Sequence, residues 1–197
     1  MSLRSTLLIL ALLAAAPAAA QFQSEGYKFL QAVKESKNNE VITALNKPGS
    51  QIVNTKDVTS GEAALHIVAK HGDVPYTTFL LQKGADPNIR DGKNNTPMLV
   101  AIDAGQGDLV PVLLLGRANP NLANSSGETP LIRAVQRRDL GLVRTLLAAK
   151  ADPDQRDVIA GLSARDYAAR DTRAPAIAKV LAEAPRRAKA AVSGPKL

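Results

Sequence analysis

Apolar residues recur along this chain in short bursts at helical spacing, and the polar residues between the bursts recur with them. In residues 124–156, Leu131, Ala134 and Val135 share one helical face, and Leu142, Val143, Leu146 and Leu147 share another. Residues 91–123 repeat the pattern with Met98, Ala101 and Ile102, then Leu109, Val110, Leu113 and Leu114. Residues 58–90 repeat it with Leu65, Val68 and Ala69, then Tyr76, Thr77, Leu80 and Leu81. The interval is 33 residues. Each stretch therefore predicts a turn, a helix, a short turn and a second helix.

The punctuation supports this reading. Thr129 is placed to cap a helix through its hydroxyl, and Pro130 suits the first helical position, where an amide hydrogen has no partner. Thr96 and Pro97 repeat that pair. Gly127 permits the preceding turn, and Gly84 can take the left-handed conformation that ends a second helix. Pro87 then prevents the helix from resuming, and Asp86 and Asn88 carry short side chains able to bond turn amides. Neither short helix of a unit can bury its apolar face alone. Stacked neighbours bury those faces jointly, which predicts an all-α solenoid.

These residues resemble the ankyrin repeat. Its T-P-L-H-x-A pattern is approached by AALHIVA (63–69), TPMLVAI (96–102) and TPLIRAV (129–135), and its G-A-D-x-N ending by GADPN (84–88). The resemblance implies about five stacked helix–turn–helix units with loops projecting to one side. A degenerate first unit spans 25–57, regular units span 58–90, 91–123 and 124–156, and a capping unit spans 157–184. Residues 27–46 read as the first helix pair. The capping unit matches one residue late, which places an insertion in DVIAG (157–161), and Arg165 replaces an apolar residue, as expected of a cap facing water.

Other departures carry expectations of their own. Arg117 and Lys150 stand where Gly84 stands, so those helix ends are expected to differ in shape. Pro111 would interrupt a helix unless Asp108 caps it and Pro111 falls in the first turn; the cap, with some distortion, is expected. His66 is expected to bond the turn, and His71 to lie on the surface. Their spacing of five rotates them about 140° apart, so they cannot jointly hold a metal.

The chain's beginning and end read differently from the stack. Arg4, the apolar run Leu7–Ala16 and the small residues 18–20 predict an export signal cleaved between Ala20 and Gln21. The run is too short to span a bilayer, and Gln21 is not the cysteine of a lipoprotein. A bacterial periplasm is the expected destination. The chain contains no cysteine, so neither disulfides nor thiol chemistry contribute. Its formal charge is +7, yet residues 21–183 hold 20 Lys and Arg against 18 Asp and Glu. The excess lies in residues 185–197, an Ala-, Lys- and Pro-rich tail predicted to be disordered. A dedicated nucleic-acid surface is not expected on so neutral a body, which also has few aromatic residues.

No catalytic string, cofactor motif or metal cluster is found, so neither an enzyme nor a bound cofactor is expected. The sequons at Asn94 and Asn124 fall where turns are needed and read as turns. The resemblance implies a monomeric protein-binding module gripping an unidentified protein through loop tips and first helices. Carried over by position, that surface comprises Thr59, Ser60, Glu62, Lys70 and His71; Arg90, Gly92, Lys93, Asn95 and Asp103; and Ser125, Ser126, Glu128, Gln136 and Arg137. The alternative is weak tethering to anionic membrane through the basic tail, at about 1 kcal/mol per charge near the surface.

Overall fold

A computed structural model describes residues 16–186, with side chains from residue 25 onward. Most of the expected export signal and all but the first residues of the tail lie outside the described residues. The first helix, α1, runs from Ala16 to Lys34 and so passes through the Ala20–Gln21 bond. It pairs with α2 (Asn38–Leu45), and a 3₁₀ turn at Ile52–Asn54 leads into the regular units.

Four helix pairs follow: α3 (Ala64–His71) with α4 (Val74–Gln82), α5 (Pro97–Asp103) with α6 (Leu109–Leu115), α7 (Pro130–Gln136) with α8 (Leu140–Ala148), and α9 (Ala164–Arg170) with α10 (Pro175–Glu183). The first helices pack in series, α3 on α5, α5 on α7 and α7 on α9. Leu80, Leu113, Leu146 and Leu181 are fully buried in the second helices, and Leu65, Met98 and Leu131 are their counterparts in the first. Burying each such side chain contributes roughly 1.5–3 kcal/mol relative to leaving it exposed. No helix among the described residues is long and apolar enough to cross a membrane.

The helix starts follow the sequence in three cases. Thr96 Oγ1 accepts from the Leu99 amide at 3.4 Å, and Thr129 Oγ1 from the Ile132 amide at 3.2 Å. At α9, Ser163 accepts from the Asp166 amide at 3.2 Å while Asp166 takes the Ser163 amide at 3.0 Å, a reciprocal capping box. Ala63 has no such oxygen. There the ring of His66 reaches back instead: Nδ1 accepts the Ala63 amide at 3.1 Å, the other half of a capping box, and Nε2 meets the Asn95 carbonyl of the next unit at 3.0 Å.

Asp108 precedes α6 and Pro111 falls in its first turn, as expected, but the Asp108 side chain does not cap the helix. Asp73 and Asp139 each accept the amide three residues on, at 2.8 and 2.9 Å, to start α4 and α8. The third residue after Asp108 is Pro111, which has no amide hydrogen to offer. Asp108 is accordingly helical and its carboxylate makes no cap bond. The Leu109 and Val110 amides bond the Gln106 and Gly107 carbonyls at 3.1 and 3.0 Å, so α6 is entered through a tighter turn.

The helix ends at Arg117 and Lys150 are not shaped differently from that at Gly84. All three residues are left-handed, with φ of 86° at Gly84, 70° at Arg117 and 67° at Lys150. The following amide bonds back into the helix each time: Ala85 to Leu80, Ala118 to Leu113 and Ala151 to Leu146, at 2.9–3.0 Å. An asparagine ladder holds this geometry across units. Asn54, Asn88 and Asn121 each donate to the carbonyl of residue 84, 117 or 150, at 3.1–3.2 Å. Each also accepts the amide of residue 86, 119 or 152, at 2.7–2.8 Å. Asn88, expected to serve its own turn, thus ties its unit to the next.

Arg165 does not face water. It occupies the register of Leu65, Met98 and Leu131, and its side chain is 15% exposed. Its guanidinium pairs with Asp154 at 2.9 Å and donates to the carbonyls of Leu181 and Ala184 at the end of α10.

Candidate functional site

The projecting hairpins form one row. Each is anchored by a carboxylate or amide oxygen that accepts backbone amides two to four residues on. Asp57 holds Thr59 and Ser60, Asp91 holds Lys93 and Asn95, Asn124 holds Ser126 and Glu128, and Asp157 holds Ile159, Ala160 and Gly161. The amides of Ser60 and Thr59 hold the Asp57 carboxyl down to about 2. The outer hairpins are one residue longer than the inner two: Asp57 bonds back to Glu62 and Asp157 to Leu162, whereas Asp91 bonds back to Asn95 and Asn124 to Glu128. The insertion in DVIAG is therefore matched by one in DVTSG (57–61), and the repeated D-V-x-x-G string was its visible signal.

Adjacent hairpins are joined by backbone hydrogen bonds, from Gly92 to Ser60 at 2.9 Å, from Ser125 to Lys93 at 3.0 Å and from Val158 to Ser126 at 3.0 Å. Gly127 is required twice at this seam. Its φ is +76°, and a Cβ there would lie 2.6 Å from the Val158 amide nitrogen. The Asn94 and Asn124 sequons both serve these turns: Asn94 takes φ of 60°, and Asn124 anchors its hairpin.

Eight of the residues assigned to the partner surface line a single cleft. Thr59, Ser60, Glu62, Lys70, Gly92, Lys93, Asn95 and Asp103 surround a depression of about 690 Å³ between the first two hairpins and helices α3 and α5, with Asp91 in its wall. Lys70 pairs with Glu62 across it. Asn95 holds Asp91 at 3.0 Å and presents its carbonyl to His66, so its contribution to the wall is fixed from within.

The next groove along is bridged. Arg133 of α7 reaches Glu128 at 2.9 Å and Asp103 at 3.5 Å, forming a bridge between the second and third units. Arg137 adds a bond to the Asp103 carbonyl at 3.2 Å. Burial raises the Asp103 carboxyl and Glu128 adds to this, against the attraction of Arg133 and Arg137. Arg133 was not among the expected site residues, although it interrupts the apolar face of TPLIRAV. Arg90, assigned to the surface, is likewise turned inward: its Nη1 donates to the carbonyls of Ala123 at 2.8 Å and Asn94 at 3.2 Å.

A second open cleft, of about 470 Å³, lies between α7 and α9, where Gln136 and Tyr167 meet Arg170, Asp171, Thr172 and Arg173. Ser125 and Ser126 remain on the hairpin row, and His71 is exposed at the end of α3. Tyr167 packs against the core, and its hydroxyl donates to Asp157 at 2.6 Å. Among the described residues, no His, Asp and Glu group is placed to hold a metal ion.

Stacked helix pairs with hairpins in one hydrogen-bonded row define a repeat solenoid, a class of protein–protein interaction module. The family description "Ankyrin repeats (3 copies)" matches residues 29–124 and 77–157, and the chain belongs to the ankyrin-repeat family. It is 31% identical over 84 residues to Neurogenic locus notch homolog protein 1 of Xenopus laevis, covering 43% of this chain and 3% of that one. It is 32% identical over 87 residues to human oxysterol-binding protein-related protein 1, covering 44% of this chain and 9% of that one. An ankyrin repeat protein of Fowlpox virus is 43% identical over 42 residues, covering 21% of this chain and 22% of that one. The chain thus spans less than a quarter of the length of each of these relatives.

Proposed function

We propose that the protein is an exported recognition module that binds a partner protein through its hairpin tips and the exposed ends of its first helices. The cleft that gathers eight of the expected surface residues carries this reading. Its walls are pre-formed: the hairpins are bonded to one another and their turns are locked by buried or half-buried carboxylates. A partner docking there pays little ordering entropy. The action is recognition alone, without catalysis. Export rests on the N-terminal sequence, whose basic residue, apolar run and small residues suit a cleaved signal, with the bacterial periplasm as its destination.

The test is affinity capture from periplasmic extract under mild crosslinking, using residues 21–197 and a Lys70→Glu, Lys93→Glu variant. Arg90 is left intact because its guanidinium holds the hairpins together. A protein captured by the unaltered chain and lost from the equally stable variant supports docking in the cleft. Equal capture by both moves recognition off this cleft, and capture by neither removes the reading.

A further inference from the structure

The two open clefts differ in charge. The first is lined by Glu62, Asp91 and Asp103 against Lys70 and Lys93, a nearly balanced set in which Lys70 is already paired with Glu62. The second has Arg170 and Arg173 in its wall and Arg138 at its edge, against the single carboxylate of Asp171. Both oxygens of that carboxylate are engaged. Oδ2 accepts from Arg138 Nε at 2.6 Å, and Oδ1 accepts the Arg173 amide at 3.0 Å and Arg173 Nε at 3.2 Å. Asp166, one turn before Arg170, is committed to the amide and hydroxyl of Ser163 at 3.0 and 2.9 Å. Two guanidiniums, those of Arg138 and Arg173, therefore share one carboxylate, Arg170 lines the same cleft, and the side chain of Arg173 is 73% exposed.

We infer that the cleft between α7 and α9 receives an acidic peptide segment of the partner, with its carboxylates on Arg170 and Arg173. This rests on the recognition reading above and adds the chemistry of the ligand. Guanidinium forks match carboxylates in a planar, two-bond geometry that a lysine cannot reproduce. Gln136 supplies a neutral donor and acceptor beside them, and the ring of Tyr167, held by its bond to Asp157, gives the cleft a fixed wall. The bridge of Arg133 to Glu128 and Asp103 separates this cleft from the first one, so a partner spanning both meets a mixed-charge site and then a basic one. Such polarity sets the direction in which an extended segment lies.

The test uses the whole chain and a short labelled peptide of alternating Glu and Ser, followed by fluorescence anisotropy, with a Lys and Ser peptide as its counterpart. The Glu peptide is expected to bind, and to weaken about tenfold between 0.05 and 0.3 M salt as screening shortens the reach of the arginines. Arg170→Glu with Arg173→Glu is expected to abolish that binding while Lys179→Glu, on the exposed side of α10, leaves it intact. Arg170→Gln alone replaces the double variant should the latter lose its cooperative melt, and a weakening of several-fold is expected. The inference is overturned if the Glu peptide fails to bind, if the arginine variants bind it unchanged, or if inorganic phosphate displaces it at equal charge. Extract capture that survives the Arg170 and Arg173 changes but not the Lys70 and Lys93 changes would sink the acidic-segment assignment and leave the recognition reading standing.

Discussion

Arg165 and Asp154 form the last rung of the stack. Asp154 occupies the register of Asn88 and Asn121, the residues that tie each unit to the next, and it ties its own unit to the capping one by binding Arg165 Nε at 2.9 Å. The same guanidinium donates to the carbonyls that end α10. A cation at a helix C-terminus is favourable, and here it also satisfies carbonyls that lack an intrahelical partner.

Removing that guanidinium leaves a partly buried carboxylate and loose helix carbonyls. Arg165→Ala is expected to destabilise the protein by about 2 kcal/mol. Arg165→Lys is expected to recover less than half of the loss, because an ammonium cannot reach both partners in a fork. Urea unfolding gives the magnitude, and hydrogen exchange should place the loss in α10. A loss spread evenly over all units would contradict the assignment.

The left-handed residues at the helix ends give a prediction of opposite sign. Lys150→Gly and Arg117→Gly each relieve a conformation that costs a residue with Cβ about 1 kcal/mol or more, offset in part by the flexibility of Gly in the unfolded chain. A gain of roughly 0.5 kcal/mol each is expected in denaturant unfolding. Gly84→Ala should lose about 1 kcal/mol for the same reason, since a Cβ at Gly84 meets nothing within 4 Å and backbone conformation alone is at stake.

Asp139 and Asp108 precede equivalent helices but differ in what lies three residues on. Asp139→Ala is expected to cost about 1 kcal/mol, the usual value of a lost N-cap. Asp108→Ala should change stability by less than about 0.3 kcal/mol, because Pro111 leaves its carboxylate no amide to accept. Matched thermal melts would decide this, and equal losses would refute the capping account.

His66 predicts a pH dependence. Its partners fix the neutral tautomer, because the Ala63 amide can only donate to Nδ1 and the Asn95 carbonyl can only accept from Nε2. Burial lowers its pKa below the usual 6.5, against the pull of the Asn95 carbonyl, Asp91 and Glu62 in the other direction. The unfolded chain therefore takes up the proton first. Stability from this group is complete well above pH 6.5 and is lost as pH falls through 6.5 toward the lower folded value. Denaturant unfolding between pH 7.5 and 5 should show that loss, and His66→Gln should remove this part of the dependence. A flat profile for the unaltered chain would refute it.

The repeat, its helices and most of its caps were legible in the sequence because they depend on neighbours three or four residues away. Thr129 and Pro130 start a helix wherever they fall before an apolar burst, and a period of 33 places the next start without knowledge of the fold. The same locality explains the miss at Asp108, where the determining residue was Pro111 and its missing amide could have been counted. The surface assignment was partly legible. Position within the unit gathered eight residues around one cleft, but could not show that Arg90 turns inward.

Those choices belong to contacts across units, and the chain alone does not display them. Arg117 and Lys150 keep the glycine-like helix end because Asn88 and Asn121 of the preceding units hold their carbonyls. Arg165 enters the stack, despite its charge, because Asp154 and the end of α10 together satisfy its donors. Arg133 bridges two units only because Asp103 and Glu128 converge on it from different ones. Spacing along the chain determined which residues share a helix face. Stacking decided which charged groups meet, since a charge finds its partner through space, and in this fold the partner lies one unit away.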